Sequence, residues 1–123
     1  MGRSFRERLQ NLVAQAQSMK ATSGSIVLID LGAAPFGHEQ AGLRPAVVLS
    51  VTNGMAIVVP LTSNTASLRF SATLPIVPTK RNGLATSSVV LAFHIRSIDA
   101  RRIVKRLGDL DVKDARAVDK LVR

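Results

Sequence analysis

Two hydrophobic periodicities divide the chain. In residues 4–20 the apolar positions Phe5, Leu9, Leu12, Val13, Ala16 and Met19 recur at helical intervals, and Ser4 and Glu7 have the spacing of a capping box. This predicts an amphipathic N-terminal helix, ended by Ala21-Thr-Ser-Gly24. From Ser25 the pattern changes to short apolar runs rich in β-branched residues and separated by turn formers. Strands are expected at residues 26–31, 45–51 and 56–61, the last two joined by Asn53-Gly54, a strong hairpin signal. Residues 32–42, with Pro35 and Gly37, read as a loop. A further strand is expected at 70–77, where Pro75 implies an edge or a bulge, then a turn at 80–83 and another apolar strand at 88–93. Residues 101–107 fit a short helix or a strand equally. Asp111 is placed to cap a last helix with Val112, Ala115, Val118 and Leu121 on one face.

Five or more short strands with hairpin links predict a mainly β protein with flanking helices, a small barrel that leaves few open sheet edges. The 123 residues fit one domain, with 4–20 as a helical extension and 24–123 as the barrel. Aromatic content is 3% with no Trp or Tyr, so the core is aliphatic. The absence of Cys excludes disulfides and thiolate metal sites, and with two His and eight acids no metal site or other cofactor is expected. No apolar run of about 18 residues is present to span a bilayer, and the N-terminus lacks the continuous apolar stretch of a secretory signal, so a cytoplasmic protein is expected. The net charge of +9 is uneven: five Lys/Arg face three acids through residue 62, and twelve face five thereafter. Such a field favours polyanions, although an anionic membrane surface or an acidic protein would answer to the same charge.

The stretch Gly37-His-Glu-Gln-Ala-Gly-Leu-Arg-Pro-Ala-Val-Val-Leu-Ser50 resembles the signature of MazF/PemK toxins. It follows Ser25-Ile-Val-Leu-Ile-Asp-Leu31, similar to that family's first strand, and precedes Val59-Pro-Leu-Thr-Ser63, similar to its second signature. Ile95-Arg-Ser-Ile-Asp99 and Lys105-Arg-Leu-Gly-Asp-Leu110 resemble the segments that close the barrel. The resemblance runs from residue 24 to the end. It implies an SH3-like barrel of the CcdB/PemK type with a C-terminal helix, to which this chain adds an N-terminal one. It further implies the toxin of a type II toxin–antitoxin system: a homodimeric, metal-independent endoribonuclease of single-stranded RNA, neutralised by a cognate antitoxin.

RNA supplies its own nucleophile, the 2′-OH, so the enzyme needs a base, charge stabilisation on the phosphorane and an acid for the departing 5′-oxygen. Arg44 is the first candidate: its planar guanidinium matches two phosphate oxygens, and Pro45 biases it toward an extended conformation. Thr62 matches the family's catalytic Thr and carries a hydroxyl able to donate to phosphate. A strand-end Thr bonded to nearby backbone is the plainer reading. Ser63 is an adjacent helper. His38 is the candidate for proton transfer, since imidazole titrates near neutrality, or else an exposed loop residue. Glu39 and Gln40 are placed to orient Arg44 or to stabilise the loop.

One departure stands out. Where the family often has an acidic residue followed by Gln, this chain has Phe93 and His94, and Leu91 replaces a neighbouring Arg. Proton transfer then falls to His38 or His94, or Arg44 and Thr62 act alone. Phe93 either stacks on a base or belongs to the core. Arg69, Lys80, Arg81 and Arg96, with Arg101, Arg102, Lys105 and Arg106, form a candidate phosphate track. Two rival readings use the same fold: a noncatalytic RNA- or protein-binding module, and a CcdB-like gyrase poison.

Overall fold

A tight turn at Asn53 and Gly54, with φ of 53° and 77°, folds β2 (Leu43–Thr52) back on β3 (Met55–Thr62). This hairpin is the centre of a computed structural model that describes residues 5, 6, 8, 21–32 and 42–123. The expected helix at 4–20 lies outside the described residues apart from Phe5, Arg6 and Arg8, and the expected loop does so between 33 and 41. On one side of the hairpin, β1 (Ser25–Asp30) pairs with β2 and with β7 (Ile103–Asp109). On the other, β3 divides its free edge: residues 55–58 pair with β6 (Arg96–Asp99), and Leu61 and Thr62 pair with β5 (Ser88–Leu91). β4 (Thr73–Ile76) pairs with β5 at the far edge. Among the described residues the sheet has seven strands in the order β4-β5-β3-β2-β1-β7, with β6 branching from β3, and every pairing is antiparallel.

Alternation along β1, β2 and β3 divides the apolar residues between two buried faces. Val27, Ile29, Ala46, Val48, Ala56 and Val58 meet Ile98 of β6 and Ile103 of β7, so the sheet curls until its two flanks share one interior. Ile26, Val47, Val59 and Leu61 face the other way, onto Ile76, Leu84, Val90, Leu110 and Val118 of the C-terminal helix α1 (Val112–Val122). Burial on both faces is why these strands read as continuous apolar runs. Asp111 caps α1 by accepting from the Asp114 backbone N–H at 2.7 Å. Ala115, Val118 and Leu121 face the core as expected, whereas Val112, in the first turn, is 60% exposed.

The strand expected at 70–77 is shorter. Asn64 accepts from Ala66 N–H and starts a 3-10 turn over Thr65–Arg69, and Ala72, at φ 59°, interrupts the extended run ahead of Thr73. The strand expected at 88–93 ends at Leu91 and passes into a 3-10 turn, Ala92–His94. The ambiguous stretch 101–107 resolves into both conformations: a 3-10 turn, Ala100–Arg102, capped by Asp99, and then β7.

The turn at 79–83 is fastened to the end of β7. Asp109 N–H donates to the Arg81 carbonyl at 2.9 Å, and a Cβ on Gly83 or Gly108 would overlap backbone carbonyls of the opposite segment. Asn82, 2% exposed, organises the turn: its Oδ1 accepts from Thr79 N–H (2.9 Å) and Leu84 N–H (3.0 Å), and its Nδ2 donates to the Val77 carbonyl (2.9 Å).

Candidate active site

The β2–β3 ladder begins at Thr52–Met55, slips by one residue between Val48 and Ser50, and ends at Ala46–Pro60. Carried two residues further, the register sets Arg44 opposite Thr62. Without the slip, Arg44 would oppose Ser63 instead. The bulge at Leu49 therefore decides which hydroxyl residue stands across from the guanidinium. Pro45 and Pro60 each withdraw a backbone donor at this end, where β3 leaves β2 and turns to β5 through Thr62–Val89. Arg44 is also opposite Ile29 of β1, so it prolongs the face formed by Ile29, Ala46 and Val58, at the open end of the interior.

Arg44 is half-buried, and its Nε is a buried donor with no partner among the described residues. An unsatisfied buried donor costs roughly 1–3 kcal/mol, and hydrogen bonding to an anion relieves that cost. Thr62 is half-buried as well. Its Oγ1 accepts from Asn64 N–H at 3.2 Å, which leaves the hydroxyl hydrogen free to donate elsewhere. The plain reading of a strand-end Thr and the functional one are thus compatible in one residue. Ser63 is exposed.

Two hydrogen bonds root the intervening loop beside Arg44: Leu31 N–H to the Gly42 carbonyl (3.0 Å) and Gly42 N–H to the Gly32 carbonyl (2.7 Å). Gly32 and Gly42 have φ of 72° and 70°, the left-handed conformation that such a reversal uses. His38, Glu39 and Gln40 belong to the segment between them and lie outside the described residues.

The described carboxylates are largely committed elsewhere. Arg101 donates Nε (3.0 Å) and Nη2 (2.6 Å) to Asp99 and, with its own backbone N–H, holds that carboxyl down to about 2. Asp30 accepts from Gly32 N–H, Asp109 is paired with Arg106 and Ser25, and Asp119 is paired with Arg123. Asp114, on α1, has its carboxyl pushed up by burial and by the neighbouring Asp111. The described part of the site therefore supplies a cation and a hydroxyl.

The structure gathers three of the sequence-selected residues into a row through one that sequence reasoning passed over. The β4–β5 register, continued by Ala92 N–H donating to the Ala72 carbonyl (3.0 Å), brings Phe70 against Phe93 and His94. The Phe70 and Phe93 rings meet edge to face at 6.1 Å, Phe93 and His94 lie 4.6 Å apart, and the Arg69 guanidinium sits 4.8 Å from the Phe70 centroid. Phe93 is 49% exposed and lies outside the core. Phe70 reads in the sequence as the first residue of a strand; the Arg-Phe pair at 69–70 was the available signal. Arg96 is exposed on β6 opposite Val58. Lys80 and Arg81 stand apart, fastened to the end of β7 that faces Ser25, about 13 Å along β1 from Ile29 and Arg44. Arg101, Arg102 and Arg106 bind the protein's own oxygens.

Among the described residues no three His, Cys, Asp or Glu gather in a metal-holding group, and no helix is long and apolar enough to cross a membrane. The profile of a family described as "PemK-like, MazF-like toxin of type II toxin-antitoxin system" matches residues 22–123. A crystal structure of MazF (Form-I) from Deinococcus radiodurans is 33% identical, over 82% of this chain and 91% of its own, with a TM-score of 0.62. A chain of the MazE–MazF (Form-II) structure from the same organism is 29% identical over 82% and 90%, at 0.61. The Mycobacterium tuberculosis toxin MazF-mt6, 17% identical over 80% and 91%, shares the fold at 0.63. No curated protein sequence matches the chain.

Proposed function

The chain belongs to the PemK-like, MazF-like toxin family of type II toxin–antitoxin systems, and from that premise we propose that it is an endoribonuclease acting on single-stranded RNA in the cytoplasm. The observation that carries this reading is the β2–β3 register: carried two residues past its last pair, Ala46–Pro60, it sets Thr62 across from Arg44, whose buried guanidinium N–H has no partner among the described residues.

In the reaction, the 2′-oxygen of one nucleotide attacks the adjacent phosphorus. A P–O2′ bond forms and the P–O5′ bond breaks. The proton leaves the 2′-OH for a base, and another is delivered to the departing 5′-oxygen, so the products are a 2′,3′-cyclic phosphate and a 5′-OH end. Arg44 binds the nonbridging oxygens and stabilises the charge they gain in the pentacoordinate state. Thr62 donates its hydroxyl hydrogen to the same group, while its oxygen stays held by Asn64 N–H. His38 transfers the protons from the loop rooted beside Arg44, with Glu39 and Gln40 steadying the guanidinium and Ser63 assisting at the strand end. No metal is assigned a role. The cationic surface of Arg69 and Arg96, with Phe93 and His94, guides the strand past Arg44 and Thr62, and Lys80 and Arg81 act on more distant phosphates.

Two partners complete the proposal. A second copy of the chain makes a homodimer, and a cognate antitoxin covers the basic face, as the MazE–MazF pairing of a relative suggests. An acidic segment that folds on binding would suit a chain of net charge +9.

The test is incubation of the purified protein with a long single-stranded RNA in EDTA, beside Arg44→Ala and Thr62→Ala. Discrete cuts with cyclic-phosphate and 5′-OH ends, lost in both variants, are the expected result. Bound but intact RNA would favour the noncatalytic binding module, and inhibition of gyrase supercoiling without RNA cleavage would favour the CcdB-like reading.

A further inference from the structure

Phe70 and Phe93 leave 48% and 49% of their surface to solvent, and neither belongs to an apolar cluster of the fold. Large rings are ordinarily the first side chains a small aliphatic core would recruit. Here the backbone holds them out. Phe70 N–H donates to the Ser67 carbonyl, Thr73 Oγ1 donates to the Phe70 carbonyl (2.9 Å), and Ile95 N–H closes the Ala92–His94 turn. The backbone that presents the rings is therefore set before anything binds, which lowers the entropy lost on binding.

Their flanks are cationic. Arg69 lies over Phe70, and Arg96 follows His94 by two residues. Among the described residues neither guanidinium has an ion-pair partner, whereas Arg101, Arg106 and Arg123 do. Half-exposed rings bordered by guanidinium groups without an ion-pair partner among the described residues suit a ligand with flat rings and negative charge. Val89 of β5 stands opposite Thr62, and Phe93 is four residues beyond it, roughly 11 Å along the strand and turn. That distance is the reach of a neighbouring nucleotide rather than of the phosphate held at Arg44.

We infer that the row Arg69–Phe70–Phe93–His94 is a stacking subsite for an unpaired nucleobase that flanks the phosphate bound at Arg44. It rests on the reading of RNA as substrate and deepens it. In this reading Phe93 and His94 capture a base instead of moving a proton. Stacking accepts every base, so the subsite strengthens binding and excludes duplex, whose bases are already stacked.

The probe is a fluorescently labelled, fully 2′-O-methylated single-stranded RNA of random sequence, which lacks the attacking hydroxyl and is not cleaved. Phe70→Ala and Phe93→Ala should each weaken its binding about tenfold, with Phe70→Tyr and Phe93→Tyr near wild type. With ordinary RNA the same Ala variants should raise KM more than they lower kcat. Sedimentation and melting curves on each variant control for assembly and folding. Unchanged affinity in the Ala variants overturns the subsite even if the protein cleaves RNA. So does a weakened dimer with unchanged RNA affinity, which would make the rings a protein contact, and so does an absence of binding by the wild type. Ring-dependent binding without cleavage of ordinary RNA would sustain the subsite and remove the nuclease reading.

Discussion

Replacing Asn82 by Ala removes an amide that makes three hydrogen bonds in a place water does not reach. Thr79 N–H and Leu84 N–H lose their acceptor, and the Val77 carbonyl loses its donor. At about 1 kcal/mol net for each, the variant should lose about 3 kcal/mol. A domain of this size shifts by roughly 3–5 °C per kcal/mol, so its melting temperature should fall by about 9–15 °C. The turn lies apart from the proposed catalytic pair, however: Lys80 and Arg81 ride on it, while Arg44 and Thr62 are held by the β2–β3 hairpin. Urea unfolding followed by circular dichroism, paired with RNA cleavage well below the melting transition, separates the two effects. The expected outcome is a large loss of stability with most cleavage retained. A loss below about 1 kcal/mol would mean that water or a rearranged backbone replaces the amide, and the account of the turn would be wrong.

Arg44→Met keeps the stem of the side chain and deletes the buried N–H that has no partner among the described residues. It should abolish cleavage while leaving the melting temperature unchanged or higher, and a clear drop in melting temperature would show that Arg44 serves the fold. Asp99, held at about 2 against an ordinary value of 3.8, favours the folded state above about pH 4 and loses that contribution as the pH falls toward 2. Asp99→Asn should therefore flatten the acid limb of the stability profile between pH 4 and 2, measured by urea unfolding at each pH.

The hairpin at Asn53-Gly54 was readable because its chemistry is local: two residues that tolerate positive φ lie between two β-branched runs. The helix cap at Asp111 was readable for the same reason. The facing of Arg44 and Thr62 was not. A two-residue turn with regular pairing would have selected Ser63, and the slip at Leu49 that corrects this has no mark in the sequence. Phe70 escaped because its place depends on Ala72, a non-glycine residue at φ 59°, and on a ladder that arrives from β5. Val112 fits the apolar periodicity of α1, but in the first turn of the helix it stays exposed. The charge pattern singled out the basic half of the chain without distinguishing Arg69 and Arg96, free of ion pairs among the described residues, from Arg101 and Arg106, which the fold uses.

The pairing of β1 with β7 joins Ser25 to Asp109, whereas Arg44 and Thr62 belong to adjacent strands of one hairpin. During synthesis the hairpin can form as soon as its own residues emerge, and β1 can join it, but the outer edge of β1 must wait for β7, which follows every other described strand. Long-range closures of this kind are slow relative to local ones. A nascent chain thus holds Arg44 and Thr62 in a hairpin flanked by β1 before β7, which covers the outer edge of β1, is made. A chain cut short before β7 keeps the hairpin but leaves β1 with an unpaired edge, so closure of the sheet is set by the last described strand to be made.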